Sequence, residues 1–248
     1  MRNIVLGLLI YIVLAPAQVL WADVDLDTAL YFAARRGDTQ AALELVDKGA
    51  NPGAPMKYFR GRTPVMAAAE EGHLAILVAI NTPFGDVVQC DDCGGGATDL
   101  AAKNGHKAVV KFLLDHGANV NNRMKNGATA LLLAVENGHD EVVQVLLDHG
   151  ADLEIKHNSG ATPLMEAAKR GNIPIVRALL AKGADVFVQD NAGMTAYMIA
   201  AKRGNTAIAQ LLLEKSSVLA KACGDNDTVG SLFENKNIYL SSIMELGF

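Results

Sequence analysis

Glycines recur through this chain at an interval of 33 residues. Gly72, Gly105, Gly138, Gly171 and Gly204 each follow the last at that distance, and Gly37 precedes the first by 35. Gly117, Gly150 and Gly183 form a second series at the same spacing, each followed by Ala and then Asn or Asp; Gly49-Ala50-Asn51 belongs with them. The second unit keeps only Gly85-Asp86 at that point, after an irregular Asn81-Thr82-Pro83-Phe84. A period of this length means one supersecondary unit copied and stacked, with each copy stabilised by its neighbours.

Each period has the same internal grammar. Small pairs stand before the first glycine series, as in Ala33-Ala34, Ala68-Ala69, Ala101-Ala102, Ala167-Ala168 and Ala200-Ala201. Further upstream lie Thr63-Pro64-Val65-Met66, Thr129-Ala130-Leu131-Leu132, Thr162-Pro163-Leu164-Met165 and Thr195-Ala196-Tyr197-Met198. Thr caps a helix start, and Pro at the first helical position loses no hydrogen bond. Paired alanines allow helices to approach closely, and the following Gly ends the helix with positive φ. A second apolar helix follows, such as Val109-Val110-Lys111-Phe112-Leu113-Leu114, closed by Gly117. Helices this short hold only when stacked.

These motifs closely resemble the ankyrin repeat, with its T-P-L-H-x-A-A-x-x-G-H pattern. The resemblance implies an all-α repeat solenoid with short β-hairpin fingers. Six repeats are expected over residues 25–215, their helix pairs turning at Gly37, Gly72, Gly105, Gly138, Gly171 and Gly204. The His of the pattern is absent; Met66, Leu132, Met165 and Met198 stand there, which puts the family's Thr–His bond in doubt. The third repeat opens with Gly94-Gly95-Gly96-Ala97-Thr98-Asp99 and lacks Thr-Pro, so a looser turn is expected. After Gly224, Val229, Leu232 and Phe233 match the spacing of Val176, Leu179 and Leu180 after Gly171. Residues 216–248 are therefore expected to form degenerate capping helices and a tail over the last repeat.

Other features bound the chain's class. The 248 residues are 50% apolar and 20% charged, which excludes a disordered chain, and the net charge of −5 gives no bulk affinity for nucleic acid. Three cysteines are too few for a disulfide-built scaffold. Met1-Arg2-Asn3, the apolar run Ile4–Leu14 and the small residues Ala15, Ala17 and Ala22 read as a signal peptide over residues 1–22. Cleavage after Ala17 or after Ala22 fits, and an uncleaved anchor is the alternative. Removal takes away Arg2 alone and moves the net charge from −5 to −6. The expected location is periplasmic or secreted, as a monomer with no stable membrane insertion after cleavage.

No pattern for catalysis stands clear of the repeat, and neither cofactor nor metal is expected. His73, His106 and His139 recur one per repeat, too far apart to share a zinc ion. Cys90-Asp91-Asp92-Cys93 falls at the third finger tip. It reads as a local disulfide, Cys90 to Cys93; a metal site, a redox pair, free thiols or pairing with Cys223 are the alternatives.

The remaining candidate is a binding surface for a protein partner. By resemblance, finger tips and first-helix ends line a concave face. Lys169-Arg170 and Lys202-Arg203 make it basic in the last two full repeats, which suits a partner with an acidic patch. The first finger offers Tyr58, Phe59, Arg60 and Arg62, and later tips offer Met124, Lys125 and His157. Aromatics and Arg are enriched at interface anchors. The expected function is a non-catalytic scaffold; a role centred on Cys90 and Cys93, or a secreted effector directed at a host, are alternatives.

Overall fold

A computed structural model describes residues 25–80 and 93–223, without the side chains of 217–223. The expected signal, Cys90 and the tail from Gly224 lie outside the described residues. The chain divides into two compact units, residues 1–158 and 159–248.

Among its described residues the first unit holds four helix pairs. They are α1 (Leu26–Arg36) with α2 (Thr39–Asp47), α3 (Pro64–Glu71) with α4 (Leu74–Ile80), α5 (Ala97–Lys103) with α6 (Lys107–Asp115), and α7 (Ala130–Asn137) with α8 (Asp140–Asp148). First helices pack in the order α1, α3, α5, α7, and second helices in the order α2, α4, α6, α8. Two layers result. The alanine pairs Ala33-Ala34, Ala68-Ala69 and Ala101-Ala102 are fully buried in the first. Val110, Leu113, Val143 and Leu146 have no exposed surface in the second. Each such Leu stabilises the stack by roughly 1.5–3 kcal/mol.

The second unit repeats the plan with α9 (Pro163–Arg170), α10 (Ile173–Ala181), α11 (Ala196–Lys202) and α12 (Thr206–Cys223). α9 packs on α11, and α10 on α12. α12 runs unbroken through residue 216, where the capping segment was expected to start, and reaches the residue before Gly224. No helix among the described residues is long and apolar enough to cross a membrane.

The helix starts follow from the Thr caps. Thr63, Thr129, Thr162 and Thr195 are all buried, and each Oγ1 accepts the backbone N–H three residues on, at 3.2–3.4 Å. In α9 the sulfur of Met165 also accepts from the Thr162 N–H at 3.5 Å, so a thioether stands where the family pattern has His. The third repeat departs from expectation. The start of α5 is tied rather than loose: the Asp99 carboxylate, 1% exposed, accepts from the Gly96 N–H at 2.8 Å and from Asn122 Nδ2 at 2.7 Å. An acid inside the helix thus holds the N-cap N–H, the reciprocal half of a capping box, where Thr elsewhere holds the N–H three residues on.

The fingers are turns rather than paired strands. Among the described residues the one bridge is antiparallel, Met56 to Arg62. Finger backbones bond instead to the next finger: Lys125 N–H to Cys93 O (3.0 Å) and Asn158 N–H to Asn126 O (3.0 Å) in the first unit, and Asn191 N–H to Ser159 O (3.2 Å) in the second.

Candidate functional site

In the second unit, α9 and α11 end side by side, and a cleft of ≈560 Å³ opens where the finger turns meet them. Met165, Met194 and Ile199 give it an apolar floor, and Lys169, Lys202 and Arg203 line it with charge. The helix caps explain the placement. Thr162 and Thr195 start equivalent helices 33 residues apart, so the last turns present Lys169-Arg170 and Lys202-Arg203 at matching heights. Positive charge there also suits the negative end of each helix dipole.

The four cations are not equivalent. Glu166, 5% exposed, lies one turn before the first two. Its carboxylate accepts from Lys169 Nζ at 2.9 Å and from Arg170 Nε at 2.8 Å. Burial raises its pKa, but the bonds from Lys169 and Arg170 together outweigh burial and hold it below the ordinary carboxylate value. Glu166 is therefore ionised at neutral pH. Lys202 and Arg203 are exposed and enter no ion pair among the described residues. Asp190, at the other wall, is used locally: it accepts from the N–H groups of Ala192 and Met194 at 2.9 and 2.8 Å. Sequence inspection passed over Glu166, although an acid three and four residues before Lys and Arg on one helix is a readable signal.

The first finger sorts its residues two ways. Lys57–Phe59 forms one 3₁₀ turn. Phe59 turns inward and stacks on Tyr31 (centroids 4.6 Å apart) with its edge towards Phe32 (5.5 Å). Arg62 pairs with Glu70. Tyr58 is 89% exposed, and Arg60 is exposed with φ 58°. Among the later tips, Met124 and His157 are half-buried and Lys125 is exposed. The Met124 N–H donates to Ala128 O within its own turn. Cys93 is exposed, with its carbonyl bonded to Lys125; Cys90, the other half of the expected disulfide, lies outside the described residues.

The histidine series is structural. Nε2 of His73, His106 and His139 donates to the carbonyls of Arg35 (3.2 Å), Glu70 (2.8 Å) and Lys103 (2.9 Å) in the preceding repeat. The rings lie over Gly37, Gly72 and Gly105; a Cβ at Gly72 would approach His106 Nδ1 to 2.5 Å. Asn205 does the same work in the second unit, donating to Ala168 O at 2.8 Å. On the second-helix layer, His149 Nε2 meets Asp115 Oδ1 at 3.0 Å, which raises the histidine's pKa.

A model of ankyrin repeats in three copies matches residues 84–157 and 151–222, more than half the chain. A single ankyrin repeat model matches residues 25–57. The mouse protein named ankyrin repeat and SAM domain-containing protein 6 is 36% identical over 91 residues, 37% of this chain and 9% of that one. NF-kappa-B inhibitor alpha of Sus scrofa is 32% identical over 100 residues, 38% of this chain and 31% of that one. Alpha-latrotoxin-Lg1a of Latrodectus geometricus is 30% identical over 116 residues, 44% of this chain and 8% of that one. The chain spans less than a third of each of these relatives.

Proposed function

Because the chain belongs to the ankyrin-repeat family, whose members serve in general as non-catalytic protein-binding scaffolds, we propose that it binds a protein partner on the face built by its finger turns and first-helix ends. The family's concave face is that surface. The observation that carries the reading is the α9–α11 cleft, where an apolar floor lies beside two exposed cations with no internal counter-ion among the described residues. A rigid stack offers this surface with little ordering cost. NF-kappa-B inhibitor alpha is, by its name, a protein that acts on another protein, and the same class of task is assigned here. In the first unit Tyr58 and Arg60 offer a separate contact on the first finger, with Lys125 at a later tip of that unit. Phe59 and Arg62 support that finger from within.

The partner carries an acidic patch. Capture with the chain as bait is expected to retain one dominant partner that salt releases. The double variant Lys202→Glu, Arg203→Glu should lose it; equal recovery of that partner by both baits would overturn the assignment.

We also propose export to the periplasm or beyond by residues 1–22, with Cys90 and Cys93 joined as a disulfide at the third tip. N-terminal sequencing of the exported chain should begin after Ala17 or Ala22. Thiol labelling of the unfolded chain before and after reduction should reveal two additional thiols; a full-length N-terminus in the cell interior would contradict export.

A further inference from the structure

We propose that Glu166 sets the charge of what the cleft accepts: it keeps Lys169 and Arg170 for itself and leaves Lys202 and Arg203 to receive one acidic side chain of an extended partner segment. This rests on the cleft being the partner site. An apolar residue next to that acid lies over Met194 and Ile199, which line the same cleft.

Both oxygens of Glu166 are taken. Lys169 Nζ reaches Oε2 at 2.9 Å and Oε1 at 3.2 Å, and Arg170 Nε reaches Oε1 at 2.8 Å. The Glu166 side chain is 6% exposed, whereas those of Lys169 and Arg170 are 42% and 52% exposed. The asymmetry decides the competition. A carboxylate arriving from a partner competes for these cations with an anion already buried against them. Stripping a buried charge of its counter-ions costs far more than an exposed ion pair returns. The arriving acid is therefore favoured at Lys202 and Arg203, which end the neighbouring helix and enter no ion pair among the described residues. One carboxylate against two cations leaves the Glu166–Lys169–Arg170 cluster a single positive charge, half of what Lys202 and Arg203 present, so a second acid beside the first gains less than the first does. Asp190 lines the same cleft and keeps its negative charge while its Oδ1 accepts two turn N–H groups, which further disfavours a second acid there. The cleft thus gains from the first acid of a segment and little from a second, and Glu166 acts on the partner only through the two cations it positions.

The test uses the full chain and three fluorescent peptide probes in an anisotropy titration. The probes carry Leu-Gln-Leu, Leu-Glu-Leu or Leu-Glu-Glu-Leu between Gly-Ser flanks. The unsubstituted chain should bind both acidic probes better than the Gln probe and equally well to within about twofold. Glu166→Gln keeps shape and acceptor but frees the cations. It should bind the doubly acidic probe roughly three- to fivefold more tightly, the worth of one exposed ion pair, with a steeper salt dependence. Glu166→Asp keeps the charge and should behave as the parent, which separates charge from packing. Circular dichroism checks that each variant is folded. If Lys202→Glu with Arg203→Glu abolishes acidic-probe binding while Glu166→Gln leaves the preference unchanged, the inference falls and the partner site stands. If no folded variant prefers an acidic probe to the Gln probe, the partner site falls and the inference with it.

Discussion

Gly72 carries two constraints at once. Its φ of 81° suits a residue without Cβ, and the ring of His106 occupies the space a Cβ would need. Gly72→Ala should therefore cost about 2–4 kcal/mol in urea unfolding, one part from the left-handed backbone and one from the clash. Adding His106→Ala should return part of that loss, because the clash goes and only the backbone part stays; strict additivity would refute the packing role. The sequence marked the glycine as a helix stop and excluded the histidines as metal ligands. It did not reveal that each ring caps a helix in the repeat before it, since that partner carbonyl lies 36 or more residues upstream. The His149–Asp115 pair gives a pH prediction with the opposite sign to an acid's. The folded pKa of His149 is raised, so its contribution is full below the unfolded value of about 6.5 and is lost as pH rises through the folded one. Asp115→Asn should flatten the melting temperature across that window, and an unchanged profile would count against the pair.

At the scale of elements, repeat grammar was nearly all that the helices required. Thr caps, alanine pairs and turn glycines stand where local chemistry puts them, and six helix pairs follow. The fingers were harder to read, because their backbone bonds run to neighbouring fingers and not along a hairpin. Asp99 shows the same limit: the chain without Thr-Pro suggested a loose start, and a buried carboxylate supplies the tie. The first finger was read as one aromatic anchor, but its two rings have separate jobs. Phe59→Ala should cost about 2–3 kcal/mol, by loss of the stack on Tyr31 and the contact with Phe32. Tyr58→Ala should leave stability within about 0.5 kcal/mol, since its ring is 89% exposed. Equal losses in thermal unfolding would contradict this division.

For the molecule as a whole, the net charge says less than where the charges sit. A net charge of −5 hides a local reversal at the ends of α9 and α11, and the structure divides that reversal into tethered and available cations. The four cations were legible as adjacent pairs. Their inequality was not, because it depends on the depth of Glu166 and the exposure of Lys202 and Arg203. Acid should test the tether directly. The folded pKa of Glu166 lies below its unfolded value, so its ion pairs stabilise the chain above about pH 4.3, and this is lost as pH falls through the folded value. Glu166→Gln should therefore lose less stability between pH 6 and acid than the parent does.

The proposed partner sits on the face carrying Lys202. The most direct measurement places a photo-reactive residue at position 202, and in a second version at position 177, which lies in α10 of the other helix layer of the same unit. After irradiation in the native source, mass spectrometry identifies the adducts. One protein adduct is expected at 202, suppressed by the Leu-Glu-Leu peptide in excess, and none at 177. The same adduct at 177 but not at 202 would place the partner on the second-helix layer and contradict the proposal.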